Sequence, residues 1–136
     1  MKRTLFSAAI LAASMMVSAW TAQAQTSTMR VNIPFAFEAG GKAHAAGQYD
    51  LQMTAGGNQV LLQRTDVNEG ASFLPPPMSN GTYAHIENPH LVFHRHGEQY
   101  FLREAHTGQA HTLEWLPSKN EKKLTSPFEV ALVYAK

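Results

Sequence analysis

Four histidines fall within nineteen consecutive positions, NPHLVFHRHGEQYFLREAH, residues 88–106. His90, Val92, His94 and His96 are all even-numbered, so on a strand they share one face. His94-x-His96 sets two imidazoles side by side, a geometry that zinc and copper sites use. A structural zinc takes four ligands, and a catalytic zinc takes three plus water. His94 and His96 supply two, so a third must come from His85, His111 or Glu98. His90 stands about 13 Å back along an extended chain, out of chelating reach of His94 unless the strand bends. The competing reading is a solvated sheet face that carries histidine as an amphipathic, strand-tolerant residue. The ligand count favours this second reading, because nothing in the spacing makes a third donor converge. On either reading, imidazoles gathered on one face would charge together as the pH falls through about 6.5.

Other chemistry is absent from the pattern. Cysteine is missing altogether, so thiol catalysis and disulfides are excluded. There is no G-x-S-x-G, H-E-x-x-H or S-x-x-K motif. Gly40-Gly41-Lys42 lacks the spacing and the following helix of a phosphate loop. Asp50, Asp66 and the glutamates lie on strand faces or turns, where solvated carboxylates are expected. The sequence therefore points away from an enzyme and assigns no cofactor beyond the zinc or copper that His94 and His96 would bind.

The elements that must position these residues read as strands. Gly97-Glu98 suits a two-residue type II′ turn. That turn pairs His96 with Gln99, His94 with Phe101, Phe93 with Leu102, Val92 with Arg103 and Leu91 with Glu104. Leu91, Phe93, Tyr100 and Leu102 make the better core face. Upstream, Met29, Val31, Ile33, Phe35 and Phe37 alternate with polar or small residues, the period of a half-buried strand. Pro34 places that strand at an edge or a bulge. Tyr49, Leu51 and Met53 repeat the pattern, and QVLLQRT returns as their hairpin partner. ASFL, TYAHI and AHTLEWL are shorter candidates. Pro75-Pro76-Pro77 forms a rigid spacer or rim loop. Phe128, Val130, Leu132 and Tyr134 share one face of the last run, and Trp115 and Tyr134 read as core residues. Ser118 and Glu121 have capping-box spacing, which predicts a short helical turn near 118–124. The fold class is all-β: a single-domain sandwich or small barrel of about eight or nine short antiparallel strands.

The N-terminus carries an address. Lys2 and Arg3 precede an apolar run from Leu5 to Trp20, and Ala22-Gln23-Ala24 is a small-x-small cleavage site. Residues 1–24 thus read as a signal peptide, and 25–136 as one β domain, exported to the periplasm or the extracellular space. Eleven Lys and Arg oppose ten Asp and Glu; losing Lys2 and Arg3 leaves nine basic residues and a net charge of about −1. No basic patch suited to phosphates survives, which argues against nucleic acid. No second apolar run reaches the length of a membrane span.

The mature chain also resembles a family of small exported all-β proteins of unassigned function, associated with acidobacterial genomes. The resemblance rests on VNIPFAFEAGG with Ala46, Gly47 and Tyr49, on LVFHRHGEQYFL, and on Pro117, Ser118 and Glu121. These motifs specify strands, turns and a cap rather than a reaction. His44-Ala45 departs from the family's Leu-Pro, and His96 from its Tyr, so a metal pair built on His96 would be peculiar to this chain. The sequence reading is an exported, non-enzymatic β-module that binds an envelope or extracellular ligand. A His-dependent metal-binding protein and a carrier of a small apolar molecule are the alternatives.

Overall fold

The computed structural model describes residues 26–53, 59–82, 88–107 and 111–136, with the main chain alone at 79–82 and 111. The strands are β1 (Ser27–Ile33), β2 (Phe37–Ala39), β3 (Lys42–His44), β4 (Gly47–Met53), β5 (Val60–Arg64) and β6 (Ser72–Leu74). They continue as β7 (Ser79–Thr82), β8 (His90–His96), β9 (Gln99–His106), β10 (His111–Glu114) and β11 (Glu129–Tyr134), with one helical turn, α1 (Lys119–Lys122), before the last. The fold is all-β, as the alternation predicts.

Two sheets form. One has the order β1-β4-β5-β6, and the other β11-β8-β9-β10-β7 with β2 and β3 attached to its side. They share one core. Val31 and Ile33 from β1, Leu51 from β4 and Val60 and Leu62 from β5 meet Leu91 and Phe93 from β8, with Leu102, Ala105, Leu113 and Trp115 beside them. Each large side chain removed from water there contributes on the order of 1.5–3 kcal/mol.

The strand count exceeds the expectation for a physical reason. The alternation from Met29 to Phe37 is not one strand. It breaks at Pro34 to Ala36, and the chain crosses from the first sheet to the second. β1 is an edge strand, where a following proline costs no ladder bond. Phe35 falls in the crossing and is only partly buried, stacking on Tyr100 at 3.7 Å and edge-on to Phe93 at 5.1 Å. Gly40 and Gly41, with φ of 60° and 77°, then fold β2 back on β3, a turn that residues with a Cβ enter at a cost. β2 meets β9 through the pairing of Glu38 with Phe101, which is parallel; among the described residues the other ladders are antiparallel.

Two further expectations are corrected. Along β11 and the residues flanking it, the odd positions Ala131, Val133 and Ala135 pack inward, while Phe128, Val130, Leu132 and Tyr134 stay exposed, Tyr134 at 55%. Both faces of that run are apolar, so alternation alone could not say which is inside. Asp50 is buried rather than solvated, and Arg30 holds it through two hydrogen bonds of 2.8 and 2.9 Å. Part of TYAHI, residues 83–86, lies outside the described residues.

Candidate functional site

The β8–β9 hairpin turns at Gly97, with φ of 61°. From there its register matches the two-residue turn: His96 pairs with Gln99, His94 with Phe101 and Phe93 with Leu102. Between Phe93 and Val92 the register slips. Val92 pairs with Glu104 and Leu91 with Ala105, not with Arg103 and Glu104. Arg103 is thus the extra residue of a β-bulge, a device that re-aims side chains. Arg103 and Glu104 both reach polar partners, Arg103 at His94 and Glu104 at His106.

The histidine face is not solvated. The segment from Trp115 to Phe128 crosses it as a strap. Ser118 caps α1 by accepting from the Glu121 amide at 3.2 Å, as the capping-box spacing predicts. The Glu121 side chain does not close that box. It turns onto β8 and β9, where it is 5% exposed. Arg103 Nη1 donates to Glu121 Oε1 and Oε2 at 3.2 and 3.4 Å, and Arg103 Nε donates to the Trp115 carbonyl at 2.9 Å. His96 Nε2 lies 3.3 Å from Glu121 Oε1, and its Nδ1 lies 3.1 Å from the Ser126 carbonyl. His94 stacks on Phe128 with centroids 3.9 Å apart. The His94 and His96 side chains are 15% and 7% exposed. A strap that begins nineteen residues after β8 ends, at Trp115 against His96, could not be foreseen from the strand's own alternation.

The two rings play different parts. His96 has an acceptor within hydrogen-bonding distance of each ring nitrogen. His94 Nδ1 faces the Arg103 guanidinium at 3.2 Å and Glu121 Oε1 at 3.3 Å. Burial, and then the Arg103 charge, hold the His94 pKa below its ordinary 6.5. The neutral ring accepts from Arg103, and its approach to Glu121 is a contact rather than an ion pair.

Of the other candidate ligands, His85 lies outside the described residues. His111 is on β10, separated from β8 by β9, and Glu98 is exposed in the turn. His90 stacks on His106 at 4.5 Å, well apart from the His94 cluster. His106 has Glu104 at 2.8 Å and Thr112 at 3.2 Å. Among the described residues, no group of three or more His, Asp or Glu is placed to hold a metal ion. Arg103, which opposes a cation beside His94, stands within hydrogen-bonding distance of it. What the structure brings together is a fastening: Arg103 and His96 grip Glu121, while His94 accepts from Arg103 and stacks on Phe128, and together they pin the strap. Sequence reading missed Glu121 in this role because its cap spacing explained it already.

Pinning the strap creates a groove. A cavity of about 590 Å³ lies between the strap, the β2–β3 turn and the proline run. Phe101, Leu102 and Trp115 line it as buried residues. Trp115 Nε1 donates to the Pro75 carbonyl at 2.8 Å, which ties strap to rim. Met78 and Leu116, 56% and 62% exposed, stand at its mouth. Asn120 donates to Glu38 Oε2 at 3.1 Å across it. Gly40 is required here: an alanine Cβ would sit 2.9 Å from Pro75 Cδ.

Fold and site together define a two-sheet all-β protein whose outer strap closes an apolar groove at the sandwich's flank. Comparison with protein-family models, curated proteins and solved structures returned no match. Among the described residues, no helix is long and apolar enough to cross a membrane.

Proposed function

We propose that this chain is an exported, non-enzymatic binding module of the cell envelope or extracellular space, and that the strap groove holds a small apolar ligand. The observation that carries the reading is the groove itself. Its 590 Å³ falls in the size range of small-molecule sites, and its walls are aromatic and aliphatic with few polar groups. A carrier of an apolar molecule was one of the sequence's alternatives, and the groove favours it, at the flank of the sandwich rather than between its sheets. The histidine cluster has a structural part in this reading: its hydrogen bonds turn inward to Glu121 and Ser126. Export rests on the layout of residues 1–24, and the resemblance to small exported β-proteins agrees with it.

Two measurements test the proposal. Intact mass of the chain recovered from its native compartment should correspond to a start at Gln25; full-length protein retained in membranes would refute export. Titration with octanol, followed by amide chemical shifts, should move Gly40, Gly41, Met78, Trp115, Leu116 and the amides from Ser118 to Glu121 in a saturable way. Shifts spread evenly over the molecule would refute the groove as the site.

A further inference from the structure

We infer that the groove is gated by acid: a proton on His94 unfastens α1, so the protein holds its apolar ligand near neutral pH and releases it below. This rests on the groove being the binding site and names how that site is regulated. Trp115 to Glu121 form one whole wall of the groove, so the site lasts only while the strap is down. Glu121 has two sides. It lines the groove, and behind the groove it is held by Arg103 and His96. His94 Nδ1 lies 3.2 Å from Arg103 Nη1 and 3.3 Å from Glu121 Oε1. The charged and titratable groups that face it are Arg103 from β9, Glu121 from α1 and His96 along β8. Its strand neighbours are uncharged, Val130 on β11 and Phe101 on β9. Glu129, the acid of β11, pairs with Arg95 instead, and Phe128 of the strap covers the ring. With His94 neutral, Nδ1 accepts from the guanidinium. A proton there removes that acceptor and sets a second cation against Arg103, on a side chain only 15% exposed, where water screens little. Glu121 attracts the new charge, but Arg103 and His96 already share its Oε1. Burial and Arg103 outweigh Glu121 and keep the proton off while the strap is down. Once α1 lifts, the ring meets water and protonates at its ordinary pH. The proton therefore favours the released strap over the fastened one, and lowering the pH shifts the balance toward release.

Octanol does not ionise near neutral pH, so its affinity for the intact protein reports the site alone. Isothermal titration should show binding at least about threefold weaker at about pH 5 than at about pH 7.5, the span over which a histidine charges. His94→Gln keeps an acceptor beside Arg103 but cannot take the proton, so its two affinities should agree. His44→Gln, on β3, should keep the wild-type ratio. Hydrogen exchange shows what moves: protection at Lys122 and Leu124, bonded to the Ser118 and Glu121 carbonyls, should fall in acid while Phe93 and Leu102 hold. Reciprocally, saturating octanol should shift the titration of the His94 ring, followed by NMR, to lower pH. That wild-type measurement decides should His94→Gln fail to fold. Saturable binding of equal affinity at both pH values would overturn the gate while leaving the groove standing. So would a ratio that survives in His94→Gln or is lost in His44→Gln, a uniform loss of protection, or a His94 titration unmoved by octanol. No binding at about pH 7.5 would overturn the groove reading and the gate with it.

Discussion

Glu121→Ala should detach the strap. Glu121, Arg103, His96 and His94 have side chains 5%, 14%, 7% and 15% exposed, so the network is buried rather than screened by solvent. Truncating Glu121 leaves the Arg103 guanidinium facing only His94 and the Trp115 carbonyl, and leaves His96 Nε2 without its acceptor. Removing one partner of a buried charged pair costs about 3–5 kcal/mol. The strap can relax and admit water, which caps the loss, so the expected cost is about 3 kcal/mol. Glu121→Gln keeps an acceptor for Arg103 without the charge, and should cost roughly half as much. Lys122→Ala, on the exposed side of α1, should change stability by less than about 0.5 kcal/mol. Urea unfolding with unchanged m-value measures these losses. Hydrogen exchange localises them: the Lys122 and Leu124 amides, bonded to Ser118 and Glu121 carbonyls, should exchange faster in Glu121→Ala while Phe93 and Leu102 keep their protection. A Glu121→Ala protein within about 0.5 kcal/mol of wild type, with unaltered strap exchange, would refute the fastening.

Stability should fall on the acid side of neutrality. His94, beside Arg103, Glu121 and His96, and His44, near Glu69 and Lys42, both have pKa values lowered, chiefly by burial. The unfolded chain then takes up protons that the folded one refuses. Their contribution is complete above the ordinary 6.5 and is lost as the pH drops below it toward the folded values; urea midpoints should decline in that window, and less steeply in His94→Gln. Gly40→Ala should destabilise by about 1–2 kcal/mol, from the positive φ and the close approach to Pro75, and should weaken octanol binding; an unchanged melting temperature would argue against that packing. Ile33→Ala should cost about 2–5 kcal/mol, Phe35→Ala distinctly less because Phe35 lies at the crossing, and Asn32→Ala least, by thermal unfolding. Equal losses at Ile33 and Asn32 would mean that the β1 register is wrong.

How much of this was readable beforehand depends on range. The core face of the hairpin, Leu91, Phe93 and Leu102, follows from alternation and a glycine turn, which are local properties. So does the Ser118 cap. The bulge at Arg103 is not local: nothing in HLVFHRHGEQYFLREAH says where an extra residue sits, and it is fixed by what Arg103 meets on the strap. The burial of Glu121 was likewise hidden, since a charged residue buries only when its partners arrive from elsewhere in the chain. His94 and His96 were read as a wet face because their own strand alternates; a third layer over the sheet inverted that reading. The exposed stripe of β11 failed for the opposite reason, because Ala131 and Val133 are as apolar as their neighbours. The groove combines Gly40, Pro75 and Leu116 from three separate turns, and only the proline run had been read as a rim.

The central claim is that the strap groove takes an apolar ligand. The chain has two tryptophans, Trp20 and Trp115, and a chain beginning at Gln25 keeps only Trp115, which lines the groove. Titrating that chain with octanol while following tryptophan emission reads the site directly. A saturable, one-to-one change in emission that Met78→Ser and Leu116→Ser weaken is the predicted result. A response that grows linearly without saturation, or that both substitutions leave untouched, would contradict it.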